Sequence, residues 1–217
     1  MRRDITASIL AIVVFTVALG LAYPLLTTGV AQVLWPNKAD GSQVERDGKV
    51  VGSRLIGQSF RGLRYFHPRP SVTDYSANVT SFDNLGPNSR KLGELFKRNL
   101  VAYLAGERPY DPELRPEDVP PDAVQSTASG VDPHISQANA RIQARRVAKE
   151  RGLSLQRVLA LVDENTDGRA LGVLGEPGVN VLELNLALDA EAGRSRADLS
   201  GSEAVRRGVV GGAEARQ

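Results

Sequence analysis

The chain of 217 residues contains no cysteine, only two histidines and a single tryptophan. Without cysteine, the chain has no disulfide bonds, no thiol nucleophile and no thiolate metal site. Neither sign of charge predominates, because the chain has 27 lysines and arginines and 25 aspartates and glutamates. A nucleic-acid-binding domain needs a concentrated basic face. The balance therefore gives no reason to expect nucleic acid as a partner.

Catalytic and metal-binding motifs are scarce as well. The two histidines, His67 and His134, lie far apart in the sequence, and His134 follows an Asp-Pro pair at a predicted helix start, where a ring can simply hydrogen-bond the turn. The sequence has no phosphate-binding loop of the G-x-x-x-x-G-K-[ST] type. No compact set of nucleophile, base and orienting group stands out. We therefore predict no catalytic residue, no metal site and no cofactor of the chain's own.

One short segment matches the first half of a calcium-binding loop. Asp163, Asn165 and Asp167 occupy alternate positions and Gly168 follows them. The twelfth position of such a loop supplies a bidentate glutamate, but here it is Leu174. Asp, Asn and Gly are also common turn formers. We therefore predict a turn that binds no calcium of consequence.

The N-terminus carries a long apolar run, which is uncharged from Ile5 to Asn37. As a helix with a rise of about 1.5 Å per residue, the run from Ile5 to Tyr23 would reach roughly 28 Å, close to the ~30 Å hydrocarbon core of a bilayer. Pro24 lacks a backbone N–H and is expected to kink or end the helix. We predict an N-terminal anchor over residues 1–37 with a transmembrane helix over about 5–27.

The flanking charges predict how this span is oriented. Arg2 and Arg3 precede the first apolar residue, and positive charge stays on the cytoplasmic side, so the bulk of the chain is expected outside the cytoplasm. A cleaved signal peptide is the alternative, because Ala18-Leu19-Gly20 is a possible cleavage site. Signal peptides usually have apolar regions of about 7–15 residues, however, and this run is longer.

Small residues follow one side of the predicted span. At about 100° per residue they fall within an arc of about 60°, and they are Ala7, Ala11, Ala18 and Ala22. Small side chains let two helices approach closely in lipid. Alanine is common in any apolar helix, so chance is the alternative to a packing face against a partner helix.

The residues after the anchor predict a single α+β domain over 38–189, with a small sheet and about three helices. Gln43–Arg46 and Lys49–Gly52 flank Asp47-Gly48, and this pattern is typical of a hairpin with a two-residue type I′ turn. Arg54–Phe60 is expected to be a further strand or a continuation of the second one.

Helix periodicity and capping residues predict three helices. Apolar residues recur at helical spacing from Leu92 to Leu104. Asp132-Pro133 or Ser136 is expected to cap a second helix that stops at Gly152, and Ser154 to cap a third. Beyond them, Leu alternates with other residues from Val179 to Asp189. This alternation predicts a half-buried strand, although its Leu, Glu and Ala content also suits a helix. The tail, 190–217, has no periodicity and is expected to be disordered.

Several segments, in the same order, resemble the KdpC family, the accessory C subunits of bacterial Kdp potassium-transporting P-type ATPases. Those segments are Tyr23–Gln32, Val51–Gln58, Tyr65-Phe66, Arg69–Ser71, Asn84–Pro87, Thr127–Ser136, Gln143, Arg146–Ala148 and Val179–Asp189. The run Thr127–Ser136 is long and specific. It contains the residues that we single out as the motif loop: Ser129, Gly130, Asp132, His134 and Ser136. Two departures are Ser81-Phe-Asp-Asn84, where the family is usually rich in Gly and Ser, and the tail after about Ala190.

The resemblance implies an accessory, non-catalytic subunit of an ATP-driven, high-affinity potassium-uptake complex in the bacterial cell (inner) membrane. The implied partners are a KdpA-like channel subunit, a KdpB-like ATPase subunit, a KdpF-like small subunit and the lipid bilayer. ATP, Mg and K would be bound by those partner subunits. Two other functions stay open: a membrane-tethered extracytoplasmic binding or sensor module, and a tethered hydrolase.

One residue role implied by the resemblance conflicts with the predicted topology. The family is described as raising the ATP affinity of its partner, and the glutamine that corresponds to Gln143 is proposed to contact the nucleotide. ATP is cytoplasmic, whereas the predicted orientation places Gln143 on the other side of the bilayer. We therefore expect any effect on ATP to be transmitted allosterically.

Overall fold

The computed structural model describes residues 2–76, 78 and 84–191 of the chain. They divide into two compact units, of which the first ends at Leu55 and the second begins at Ile56. The tail predicted to be disordered lies outside the described residues from residue 192 onward, as do residues 81–83 of the departure from the family pattern.

The first unit is dominated by one continuous apolar helix. Helix α1 (Arg2–Phe15), a π-helical segment (Thr16–Ala22) and helix α2 (Tyr23–Leu34) follow one another without a break. Their most apolar stretch has a mean hydropathy of 2.5 and no residue buried within the structure. This helix fits a single-pass membrane protein. Its 33 residues would reach about 50 Å, well beyond the ~30 Å hydrocarbon core.

Pro24 lies inside this helix and does not end it. It falls in the first turn of α2, where a missing backbone N–H is tolerated. The preceding turns are wider than those of an α-helix, and the N–H of Tyr23 donates to the carbonyl of Ala18, five residues back. The π-helical turns accommodate the proline ring, so that the helix continues to Leu34. That about residues 5–27 cross the membrane stays a prediction.

The first unit ends in the predicted hairpin, which follows the short helix α3 (Pro36–Ala39). Strands β1 (Gln43–Arg46) and β2 (Lys49–Ser53) pair in antiparallel fashion. Asp47 and Gly48 have φ angles of 52° and 72°, as a type I′ turn requires. The hairpin prediction is confirmed.

The further strand predicted after the hairpin is wrong, because β2 ends at Ser53 and the chain turns. The Ser53 hydroxyl donates to the carbonyl of Gly41 at 2.7 Å and accepts from the N–H of Leu55 at 3.1 Å. This side chain takes up the backbone groups that a continuing strand would have paired.

The second unit contains five helices within its described residues. They are α4 (Arg90–Glu107), α5 (Pro121–Val124), α6 (Gln137–Arg151), α7 (Leu155–Glu164) and α8 (residues 181–191). A 3₁₀ turn, Pro116–Asp118, precedes α5. The predicted caps are confirmed: the hydroxyls of Ser136 and Ser154 accept from the third N–H of α6 and α7, and Gly152 ends α6 with a φ of 68°.

Helix α8 replaces most of the strand predicted over Val179–Asp189. Only Gly178–Asn180 is extended. The Asn180 side chain then accepts from the N–H of Glu183 at 3.2 Å, which is the geometry of a helix N-cap. Four of the buried residues that follow recur at helical spacing, and they are Val181, Leu184, Asn185 and Leu188; Leu182 is buried as well. The strand prediction was wrong because alternating leucines also satisfy a helical period when a buried position is polar, here Asn185.

The second unit also contains a small antiparallel sheet. Strand β5 (Gly178–Asn180) lies between β3 (His134–Ile135) and β4 (Thr166–Asp167). One hydrophobic core lies among α6, α7, α8 and this sheet, and its members are Phe66, Ile135, Ala140, Ala144, Val147, Ala148, Val158, Leu161, Val162, Val179, Val181, Leu184 and Leu188. The predicted fold class, α+β with a small sheet, is confirmed.

Candidate functional site: a buried polar network and the motif loop

Helix α6 buries polar as well as apolar side chains. Asn139, Gln143 and Arg146 are each at most 1% exposed and lie four and three residues apart, so they follow one side of the helix. Alanines and Val147 of the same helix belong to the hydrophobic core. Buried polar groups are costly unless each finds a partner, and the partners of these three side chains organise the unit.

Gln143 uses all of its hydrogen-bonding capacity inside the protein. Its Oε1 accepts from the N–H of His67 at 2.7 Å and from Nη2 of Arg146 at 2.8 Å. Its Nε2 donates to the carbonyl of His67 at 3.0 Å and to Oδ1 of Asn139 at 2.9 Å. A primary amide has two donors and two acceptor lone pairs. In this structure, Gln143 therefore has no polar valence left for a ligand.

A second buried amide side chain pairs with the backbone of Phe66, the residue that precedes His67. Asn185 of α8 accepts from the N–H of Phe66 at 2.9 Å and donates to the carbonyl of Phe66 at 3.0 Å. Gln143 and Asn185 thus pair with the backbone of consecutive residues, as a neighbouring β-strand would. We call residues 63–67 the threaded segment, because it runs between α6 and α8 and has amide side chains as its backbone partners.

Arg146 completes the partners of the threaded segment. Its Nη1 donates to the carbonyls of Leu63 and Tyr65, the latter at 2.8 Å, and its Nε donates to Oε1 of Glu107 at 2.9 Å. Both charged side chains are buried. Burial raises the pKa of Glu107, while the Arg146 charge acts in the opposite direction. Removing one member of such a pair leaves a buried unpaired charge, which typically costs about 3–5 kcal/mol.

The network continues from α6 to the motif loop. Asn139 accepts from the hydroxyl of Tyr103 at 2.8 Å and donates to Asp122 at 3.0 Å. Asp122 also accepts from the hydroxyl of Ser136 at 2.7 Å and from its N–H at 2.9 Å. Burial raises the pKa of Tyr103, so this phenol stays a donor. Gln143 and Ser136, singled out separately in the sequence, are joined through Asn139 and Asp122.

The other motif-loop residues hold the loop in a tight conformation. Gly130 has a φ of 78°, and its carbonyl accepts from the hydroxyl of Ser71 at 2.7 Å. The Ser129 hydroxyl accepts from the N–H of Val131 at 3.2 Å. Asp132 accepts from Nη1 of Arg69 at 3.0 Å. Each side chain or carbonyl therefore has a structural partner.

His134 lies on strand β3 beside an open polar cleft. Its ring Nε2 is 2.9 Å from Oδ2 of Asp167 on β4, and its backbone N–H donates to Oδ1 of Asp132 at 2.9 Å. The cleft has a volume of about 420 Å³, and three of the five motif-loop residues, Asp132, His134 and Ser136, line it. Its other polar lining residues are Arg69, Asp122, Asp167 and Glu176. The structure therefore gathers most of the motif loop around one polar cleft.

The segment that matched half of a calcium loop has other contacts. Asp167 faces His134, and the Asn165 side chain donates to the carbonyl of Leu161 at 2.8 Å. Within residues 2–76, 78 and 84–191, no group of three or more His, Asp or Glu side chains could hold a metal ion. That the chain binds no calcium of consequence stays a prediction.

The four alanines singled out in the span divide between two kinds of helix. Ala7 and Ala11 lie in α1, whereas Ala18 and Ala22 lie in the π-helical segment. A π-helical turn holds more residues than an α-helical turn, so a constant rotation per residue does not apply between the two pairs. A single packing face that contains all four stays a prediction.

One long apolar helix and one further folded unit fit the class of single-pass membrane proteins. The model of the KdpC family, described as the c chain of the K⁺-transporting ATPase, matches residues 5–190. The chain belongs to the KdpC family.

Curated relatives agree over most of their length. The chain is 50% identical over 194 residues to the potassium-transporting ATPase KdpC subunit of Rhodospirillum rubrum, with 87% of this chain and 96% of the relative covered. The KdpC subunits of Koribacter versatilis and Kineococcus radiotolerans are 46% and 48% identical, over 87% and 88% of this chain and 95% of each relative.

We expect replacement of Gln143 to act on stability. Gln143→Met keeps the side-chain length but removes the partner of two backbone groups of His67 and of a guanidinium N–H of Arg146. Oδ1 of Asn139 loses one of its two donors and keeps the Tyr103 hydroxyl. The free energy of unfolding should fall by about 3 kcal/mol or more. Chemical denaturation of the purified chain in detergent measures it. The control is Gln156→Met at an exposed position of α7, which should stay within about 0.5 kcal/mol of the unchanged chain. Equal stabilities of the two variants would contradict the structural role of Gln143.

We also expect acid to destabilise the second unit through His67. Burial, aided by the Arg146 charge, lowers the pKa of His67 from 6.5 to about 4, and its ring donates to the carbonyl of Gly62. Because the unfolded chain takes up this proton at higher pH than the folded chain does, the free energy of unfolding should fall as pH decreases from 6.5 to 4. Above pH 6.5 the residue should have no effect.

The matched variant for this experiment is His67→Asn, which removes the titrating group. Glu107 has a raised pKa and acts in the opposite direction in both proteins, so the difference between their curves isolates the histidine. Denaturant unfolding at pH values from 7.5 to 4.5 gives the free energy of unfolding as a function of pH. This free energy should change less steeply with pH in the variant than in the unchanged chain. Parallel curves would show that His67 titrates normally.

Proposed function

We propose that this chain is an accessory, non-catalytic subunit of an ATP-driven, high-affinity potassium-uptake complex. Family membership over residues 5–190 supports a role in that transport complex. Its partners would be a KdpA-like channel subunit, a KdpB-like ATPase subunit and a KdpF-like small subunit, which would bind the K, Mg and ATP. The complex would lie in the bacterial cell (inner) membrane.

The observation that supports an indirect effect on ATP in this proposal is the saturated amide of Gln143. All four of its hydrogen bonds are internal, and the side chain lies between α6 and the threaded segment. Direct contact with a nucleotide would require breaking those bonds and exposing the buried Arg146. The role we assign to Gln143 is therefore to hold the threaded segment and, through Asn139 and Asp122, the motif loop. An effect on ATP affinity would pass through the assembly.

Orientation supports the same assignment. Arg2 and Arg3 lie at the start of the apolar helix, and positive charge favours the cytoplasmic side, so the unit that begins at Ile56 would lie outside the cytoplasm. A subunit in that position reaches ATP only through partner subunits that cross the membrane. Allosteric coupling of this kind typically amounts to about 1–3 kcal/mol, or roughly 5–150-fold in affinity.

A cysteine-scanning experiment tests the orientation, because the natural chain has no cysteine. Glu113→Cys places one thiol at an exposed position of the second unit. A membrane-impermeant maleimide should label this variant from outside in spheroplasts, whereas the unchanged chain should give no signal. Labelling only after the membrane is opened would reverse the proposed orientation.

Assembly and nucleotide binding test the functional role itself. The tagged chain should co-purify with the ATPase subunits in mild detergent, and deletion of its gene should lower potassium-stimulated ATP hydrolysis. The purified full-length chain alone should bind no ATP at millimolar concentration, where a Kd of about 1 mM corresponds to only about −4 kcal/mol. Saturable ATP binding by the chain alone would contradict the indirect role. Purification without any ATPase subunit would instead favour a membrane-tethered binding or sensor module.

A further inference from the structure

A short hairpin loop of the second unit presents apolar side chains to solvent. Residues 169–176, here called the apolar finger, connect β4 to β5, which pair with each other. Its three large aliphatic residues are exposed by 90%, 74% and 58%, and they are Leu171, Val173 and Leu174. Single exposed aliphatic residues are ordinary, but three within four positions at the tip of one loop form a contiguous patch.

Hydrogen bonds and an ion pair within the finger hold its conformation. The backbones of Ala170 and Leu174 exchange both hydrogen bonds, at 2.8 and 2.9 Å. At the base, Nη2 of Arg169 lies 2.9 Å from Oε2 of Glu176. The finger therefore holds its tip in a defined conformation and carries the aliphatic residues away from the core of the unit.

The residue at the tip is unusual for its backbone conformation. Leu171 and Gly172 have φ angles of 53° and 77°, and the N–H of Val173 donates to the carbonyl of Ala170 at 3.2 Å, which is the pattern of a type I′ turn. Asn, Asp or Gly is preferred at the first central position of this turn. A leucine there is unfavourable for the turn and also exposes its side chain, and such outliers concentrate at functional sites.

Charge decides between the possible occupants of this tip. Residues 163–178 contain four carboxylates and one arginine, the carboxylates being Asp163, Glu164, Asp167 and Glu176. Glu164 and Glu176 are paired with Arg157 and Arg169, which leaves an excess of two carboxylates around the finger. An anionic lipid surface would repel them, and the finger has no Trp, Tyr or Lys to anchor it at a membrane interface. A second copy of the chain that docks through its own finger would present the same acidic surroundings. A protein pocket with an apolar floor and a basic rim fits both the tip and its base.

We propose that the apolar finger inserts Leu171 and Val173 into an apolar, basic-rimmed pocket on another chain of the potassium-transporting ATPase. This inference rests on the proposed function, because it takes its partner from the same complex.

The experiment uses the whole complex, purified through a tag on another of its subunits. The test variant is Leu171→Asn combined with Val173→Ser. Asn tolerates the positive φ, so the melting temperature of the variant chain should stay the same or rise. Its recovery with the complex should fall about tenfold or more, because two aliphatic contacts are lost. The matched control is Val101→Ser on α4, which removes a side chain that is 67% exposed and should leave recovery unchanged.

Unchanged recovery of the double variant would overturn the inference while leaving the proposed function intact. Failure of the unmodified chain to co-purify would overturn the proposed function and this inference with it. A photo-crosslinker identifies the occupant: Leu171→p-benzoylphenylalanine in the assembled complex should crosslink to another ATPase subunit. Crosslinks to lipid or to a second copy of this chain would overturn the inference.

Discussion

The second unit depends on how the backbone of the threaded segment is satisfied. Residues 63–67 lead from the surface, where Leu63 is 50% exposed, to the fully buried Phe66. They join no sheet, so the N–H and carbonyl groups that become buried need partners from elsewhere. Gln143 and Asn185 supply these partners to His67 and Phe66, and Arg146 supplies them to two carbonyls nearby. The threaded segment thereby holds α6 and α8 together and carries Phe66, which is fully buried, into the core.

Much of the local structure could be predicted from the sequence. The Asp47-Gly48 turn and the Ser136 and Ser154 caps depend on residues within a few positions of one another, and each was found where the pattern indicated. The apolar helix follows from composition alone. Such features are decided by backbone sterics and by local hydrogen bonds, so a single sequence is sufficient to predict them.

The buried network could not be predicted in the same way. Gln143 pairs with a residue 76 positions away, and Asn185 with one 119 positions away. Neither periodicity nor capping carries information over that distance. A weaker local signal was present, since Asn139, Gln143 and Arg146 recur at helical spacing beside an otherwise buried face. The prediction of a strand in place of α8 had the same origin, because Asn185 is a polar residue at a core position.

Where an amide side chain pairs with backbone groups, evolution constrains the amide residue and leaves the side chain of its backbone partner free to vary. A backbone N–H and carbonyl are the same whichever side chain they carry, so the hydrogen bonds to position 67 make no demand on the histidine itself. Gln143, by contrast, must keep both a donor and an acceptor at one fixed reach. Sequence drift should therefore be slow at the two amides and freer at position 67. The two partners need not covary, and methods that infer contacts from covariation would overlook this contact between α6 and the threaded segment.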